Sequence, residues 1–276
     1  ETGADGQPVK FHDLFALDMQ SVLVSEISAY FANLEPVELC HDNLVVLREY
    51  EQDPDHARKG LYILHHEGDV VYVGKTDGSL HDRLTDHYVK LSARQNIAVS
   101  DVSFRCLYLD RNWSALAHET GLIEENKRSG GCSWNNAGFG LHDPGRNRDK
   151  TIIKEDHFDR RYPVNPDIPV EITGGNRAVW DVLQETKDNL PYLLRFENQK
   201  GFSPRGAHPD YMDLTARIPR NPTARSVLEA AVDALGPEWQ ASFLFGYVIL
   251  YKEAWDYGPE SAQCFRRGDS QWIHPQ

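Results

Sequence analysis

The 276-residue chain predicts an α+β fold, and three observations carry that expectation. Two short apolar runs, Leu61–Leu64 and Val70–Val73, flank Glu67-Gly68-Asp69, where Gly68 supplies the positive φ of a tight turn, so the runs pair as antiparallel strands. A helical stretch from Ser79 to Ala93 follows at once, with Ser79 or Asp77 as its N-cap. A second helical pattern, Ser114 to Asn126, repeats Leu116, Leu122 and Ile123 at intervals that face a core.

Residues 1–58 read as an N-terminal helical arm. They comprise an amphipathic helix from about Leu17 to Leu34, a turn at Glu35-Pro36, a strand from Leu44 to Tyr50 and an acidic loop from Glu51 to Asp55. Such an arm covers one face of the sheet formed by the core, residues 59–137. Residues 138–276 elaborate that core. Gly138 to Pro169 is punctuated by glycine and proline and reads as loop. Helical patterns at Asn176–Phe196 and Thr223–Ala234 enclose a polar stretch from Glu197 to Tyr211, and an apolar strand from Ser242 to Tyr251 follows.

The helix after the hairpin sets Arg83 and His87 one turn apart on one face. Tyr62 and Tyr72 sit on adjacent strands. A phenol, a guanidinium and an imidazole therefore converge on one anionic group. In the second helix Glu119 lies near the apolar face, where a carboxylate is costly unless it is paired or binds a cation, so it is the metal candidate. Hydrolysis of a phosphodiester at neutral pH ordinarily uses such a Lewis acid.

In order, Gly60-Leu61-Tyr62, Tyr72-Val73-Gly74, Lys75, Arg83, Glu119 and Trp134-Asn135 resemble the successive motifs of the GIY-YIG nuclease superfamily over residues 60–136. His87, the segment Gly138–Gly145 and the stretch Trp239–Glu253 further resemble the type II restriction endonucleases of the NgoMIII group, which cut the SacII-type palindrome CCGCGG. The resemblance implies a small central mixed or antiparallel sheet flanked by helices, with one Mg²⁺ per site, for which Mn²⁺ can substitute. It implies Tyr62 as general base, acidified by Lys75 and the metal; Tyr72 positioning water or phosphate; and Arg83 stabilising charge on the phosphate oxygens. It further implies His87 bonding the phosphate or nucleophile network, Glu119 holding the metal, and Asn135 orienting the phosphate or bracing a tyrosine, with Asn136 as its alternative.

Double-stranded DNA is the implied partner, cut by a two-fold homodimer with one active site per half-site, and a companion DNA methyltransferase is expected. The net charge of −13 opposes binding to phosphates, so the cations must be local. From Lys127 to Arg161 eight basic residues face five acidic ones, and this stretch contains Arg146 and Arg148. Arg205, Arg217, Arg220 and Arg225 are candidates to reach guanine edges. Gly138-Phe139-Gly140 is placed against a DNA groove. Rival readings are a repair or homing-type nuclease, an inactive DNA-binding module on the same scaffold and a small-phosphoester hydrolase.

Composition, at 40% hydrophobic residues, suits a globular chain with a substantial core, and no apolar run reaches bilayer length. Cys40, Cys106, Cys132 and Cys264 form no Cys-x-x-Cys pair, which argues against a zinc site or a disulfide framework and for a reducing compartment. With no signal-peptide pattern read at Glu-Thr-Gly, the expected location is the cytoplasm.

Overall fold

Two positive-φ residues, Glu67 at 52° and Gly68 at 91°, make the two-residue turn that folds the hairpin back on itself. The computed structural model describes residues 18–110, 116–128, 130–135, 137–140, 145–198 and 206–276, with the side chains of residues 19, 20 and 116–119 outside the description. Its N-terminal part comprises α1 (Met19–Ala32), β1 (Val37–Glu38), α2 (His41–Glu51), β2 (Gly60–His66), β3 (Asp69–Thr76), α3 (Leu80–Ser92), β4 (Val102–Tyr108) and α4 (Leu116–Arg128). There follow α5 (Phe158–Arg161), β5 (Gly175–Ala178), α6 (Val179–Asn189), β6 (Leu194–Phe196), β7 (Thr215–Ile218), α7 (Ala224–Leu235), β8 (Gln240–Leu244), β9 (Val248–Tyr251) and β10 (Ala262–Arg267). The class is α+β, as the patterning predicts.

The first sheet runs β1-β4-β2-β3, antiparallel throughout. Alternation along β2 sends Tyr62 and Leu64 to one face and Leu61 and Ile63 to the other. The Tyr62 face packs against Leu44 of α2 and Leu80, Leu84 and Leu91 of α3. The Leu61 face packs against Ile27 and Phe31 of α1 and Leu122 of α4. The helices thus form a layer on each side, with β2 buried between them. In the outer pair Gly121 matters: a Cβ there would lie 2.4 Å from Val24, so glycine lets α4 approach α1.

The expected strand Leu44–Tyr50 is instead most of α2. Leu44 and Leu47 recur at i,i+3 and bury one helical stripe, which overrides the strand-like look of a short apolar run. The N-terminal segment therefore contributes to both helical layers and is no separate arm. The boundary expected at residue 137 likewise runs through packed structure, because Phe139, Phe158 and Tyr162 join the aromatic cluster under α3.

The C-terminal part has its own sheet, β10-β8-β9-β6, and a two-stranded ribbon of β5 and β7, over a core to which α6 and α7 contribute. The helix expected over Asn176–Phe196 is interrupted at both ends. Leu190 precedes Pro191 and is forced to ψ 135°, which ends α6 before β6. The single strand expected over Ser242–Tyr251 is a hairpin of β8 and β9. All four cysteines are free, and no helix among the described residues is long and apolar enough to cross a membrane.

Asp149 ties the segment after residue 145 to this second sheet. Its buried carboxylate accepts from Arg195 at 2.6 and 3.3 Å, from Tyr247 Oη at 2.7 Å and from Tyr251 Oη at 3.2 Å. Removing the guanidinium leaves that charge uncompensated. Arg195→Met is expected to lower unfolding free energy by about 3–5 kcal/mol in urea denaturation, and a loss near zero contradicts the assignment.

Candidate active site

The site begins with a capped helix. Ser79 accepts from the Asp82 backbone N–H at 2.9 Å, and Glu51 from α2 accepts from the His81 N–H at 2.9 Å, fixing the N-terminus of α3. Arg83 and His87 then face the sheet. The Tyr62 hydroxyl lies 2.7 Å from His87 Nε2, and Arg83 Nε–H donates to the same oxygen at 3.2 Å. The Tyr62 oxygen accepts from Arg83, and its bond with His87 Nε2 runs in the direction that the imidazole tautomer sets. Arg83 also interacts with the Tyr72 hydroxyl. The four groups named from the sequence on this face are thus one hydrogen-bonded unit.

Electrostatics keep His87 neutral. Burial, then the positive fields of Arg83 and Lys90, push its pKa well below the ordinary imidazole value. Arg83 is raised despite burial, which works to lower it, because the Tyr62 and Tyr72 oxygens favour its charged form. Tyr62 has 0% of its surface exposed and His87 3%, so the phenol oxygen lies beneath Arg83 rather than open to solvent.

Local packing explains the glycines of the motif. A Cβ at Gly74 would lie 2.3 Å from Tyr62 Oη and 2.7 Å from the Tyr72 ring, so the tyrosines can lie over β3 only where that strand has no side chain. Gly140 plays the same part beneath Tyr72, where a Cβ would lie 2.8 Å from the hydroxyl. Between these glycines and α3 sits Phe139, 1% exposed, stacked on His87 at 4.7 Å and edge-on to Tyr72 at 4.9 Å. Gly138-Phe139-Gly140 is therefore the floor of the site and not a groove-facing loop. The placement against DNA is corrected: Phe139 is the large apolar group that fills the space His87 faces.

Asn135 is bound on both sides of its amide. Its Oδ1 accepts from the Val73 N–H and its Nδ2 donates to the Val73 carbonyl, each at 2.9 Å. That clamp braces β3 next to Tyr72, which favours the bracing role over phosphate orientation. Asn136, residues 141–144 and Arg205 lie outside the described residues.

Lys75 does not accompany Tyr62. It pairs with Leu61, and two-residue alternation puts it on the opposite face of the sheet from Tyr62 and Gly74. The expectation that Lys75 acidifies Tyr62 is corrected; His87 and Arg83 lie within hydrogen-bond distance of that hydroxyl. Glu119 belongs to α4, which packs against β3 from the face that Lys75 shares, and its side chain lies outside the described residues. Among the described residues no three His, Cys, Asp or Glu side chains gather as a metal site. A single hard carboxylate is a ligand that suits Mg²⁺, and the helix that carries Glu119 lies across the sheet from Tyr62.

The arginines divide. Arg146 pairs bidentately with Glu197 at 3.0 and 3.2 Å and covers the Tyr251 ring at 4.2 Å. Arg225 pairs with Asp167 at 2.7 and 3.3 Å and lies 5.3 Å from the Trp272 ring. Both are paired within the protein, Arg225 with its side chain 24% exposed and Arg146 with 56%. Arg217 on β7 and Arg220 just beyond it are exposed, as is Arg148.

The residues that the motif reading missed are Lys90, Arg94 and Phe139. Positions 83, 87, 90 and 94 recur at helical spacing along one side of α3 and its C-terminal turn, a stripe visible in the sequence. Burial and the neighbouring Arg94 lower Lys90 to a pKa of about 8, and Asp159 opposes that shift. No protein-family model matches the chain, and no curated protein matches it significantly.

The lowered pKa of His87 fixes the sign of a stability change. Below the unfolded value of about 6.5 the unfolded chain takes up a proton that folded His87 refuses, so stability falls as pH falls. His65, also lowered by burial, acts in the same direction. Between pH 7 and 5, His87→Gln is expected to lose less stability than the parent, by at most about 1.4 kcal/mol per pH unit. Parallel urea curves for the two proteins contradict the neutral imidazole.

Proposed function

We propose that the chain is a Mg²⁺-dependent phosphodiesterase that cuts double-stranded DNA, of the type II restriction kind. The observation that carries this reading is the Tyr62 hydroxyl held between His87 Nε2 and Arg83 Nε. It gives a proton acceptor and a phosphate-binding cation at one point.

In the proposed mechanism the incoming phosphate draws Arg83 off the Tyr62 oxygen, and a water takes its place. As that water attacks phosphorus, its proton passes to the Tyr62 oxygen while the phenol proton passes to His87 Nε2; the bond from phosphorus to the departing sugar oxygen breaks, and that oxygen takes a proton from solvent. Pairing of Arg83 with the phosphate weakens the field that holds His87 neutral, so proton uptake becomes easier at the moment it is needed. Arg83 stabilises the charge that grows on the non-bridging oxygens. Tyr72 steadies Arg83, and Asn135 steadies Tyr72 through Val73. The resemblance implies a Mg²⁺ held through Glu119, which would supply Lewis-acid stabilisation when bound; α4 packs on the other face of the sheet from Tyr62, and the proton transfers above do not depend on it.

The resemblance to the NgoMIII group supports a GC-rich palindrome such as CCGCGG, a homodimer and a partner methyltransferase. A second reading, a DNA-binding module without cleavage, is favoured by the complete enclosure of Tyr62. One assay separates the two. Incubated with phage DNA and Mg²⁺, the protein is expected to give discrete fragments whose ends share a palindrome, and chelation should abolish them. Tyr62→Phe should slow cleavage by about 10²–10⁴-fold with duplex affinity retained. Absence of cutting, or undiminished cutting by Tyr62→Phe, contradicts the proposal.

A further inference from the structure

A cavity of about 760 Å³ opens beside the tyrosine site, between the C-terminal turn of α3, the segment 148–161 and the edge of the second sheet near Gly246. Five basic residues line it, Lys90, Arg94, Arg148, Lys154 and Arg161, against two acidic ones, Asp156 and Asp159. That is a local charge of +3 in a chain whose net charge is −13.

The partners within the cavity sharpen the contrast. Asp159 is committed to Arg94, at 2.8 Å, and the same guanidinium donates to the carbonyls of Tyr162 and Phe245. Gly246 makes room for this pair, since a Cβ there would lie 2.6 Å from Asp159 Oδ2. With Asp159 neutralised inside the protein, Arg148, Lys154 and Arg161 are left exposed at the rim, forming no ion pair with the described residues. Lys90 forms part of the floor, donating to the Phe139 carbonyl and lying 4.9 and 5.4 Å from the Phe139 and Phe158 ring centres. An ammonium held this deep without a carboxylate in contact is a group that an arriving anion stabilises.

The cavity adjoins the site described above across Phe139. Phe139 has His87 stacked on one ring and Lys90 beside the same ring. Arg83 and Lys90 lie two turns apart on α3, about 10 Å along its axis. That is roughly three rises of about 3.4 Å along a duplex axis lying parallel to α3.

We propose that this cavity is a second phosphate-binding site, which holds the sugar-phosphate backbone of the substrate strand a few nucleotides from the bond that is cut. Phosphate is the ligand class because separate exposed cations stand at the rim, above a lining that also includes Ile153 and Leu193. The proposal rests on the nuclease reading for its substrate. It adds a cation track, Arg83 to Lys90 to the rim, that sets the direction in which the strand leaves the tyrosine site.

The test compares the parent with the triple variant Arg148→Ala, Lys154→Ala, Arg161→Ala, all exposed positions, with folding checked by thermal unfolding. Binding of a fluorescent duplex in Ca²⁺ is measured by anisotropy across a salt series. Each lost phosphate contact lowers the slope of log affinity against log salt by about 0.9, so the variant should fall short by about 2–3. Equal slope and affinity in a parent that binds duplex overturn the cavity site and leave the nuclease reading standing. If the parent neither binds nor cuts duplex, the nuclease reading fails, and calorimetric titration with inorganic tripolyphosphate then decides the cavity alone. Binding that the triple variant loses supports an anion site; no binding by the parent overturns it.

Discussion

One buried hydrogen bond organises this molecule, that between the Tyr62 hydroxyl and the neutral imidazole of His87. It is made between a strand and a helix, so it exists only if hairpin register, helix start and helix rotation are all correct. The neutral state of His87 is itself a product of the packing, because burial and the adjacent Arg83 and Lys90 disfavour a charge there. Arg83 completes the unit from above. A one-residue slip of β2 would turn Tyr62 to the α1 and α4 side and dissolve it.

The surrounding structure guards against that slip. Gly60 admits the backbone of β4, where a Cβ would lie 2.3 Å from the Leu107 carbonyl oxygen, and Gly74 admits the Tyr62 ring. Asn135 closes the edge of β3 at Val73, while Cys132 and Trp134 extend the pairing with Val70 and Val71. Glu51 and Ser79 together hold the first turn of α3. Each device acts on backbone, which is why the positions of the reactive side chains follow from them.

Much of this was legible because it is local. The turn at Gly68, the Ser79 cap and the four-residue spacing of Arg83 and His87 are short-range signals, and the structure realises each. Lys75 was also readable, since its parity along β3 differs from that of Tyr72 and Gly74, but the motif drew attention to adjacency instead. Positions 90 and 94 extend the stripe by the same helical rule. Other features have no local signature: Phe139 enters the core from a glycine-rich loop, α2 arises from a run too short to separate helix from strand, and the ion pairs of Arg146 and Arg225 depend on Glu197 and Asp167 far away in sequence. Arginine counts predict local charge, while the structure decides which charges are already answered.

The proposed chemistry depends on the proton arrangement between Tyr62 and His87. Its most direct measure is ¹⁵N-edited NMR of the histidine side chains across a pH series, with His87 assigned by its loss in His87→Gln. A neutral imidazole carrying its proton on Nδ1, with Nε2 accepting and no titration near pH 6.5, is the predicted result. A His87 signal that titrates with an ordinary imidazole midpoint, or one protonated on Nε2, would contradict it.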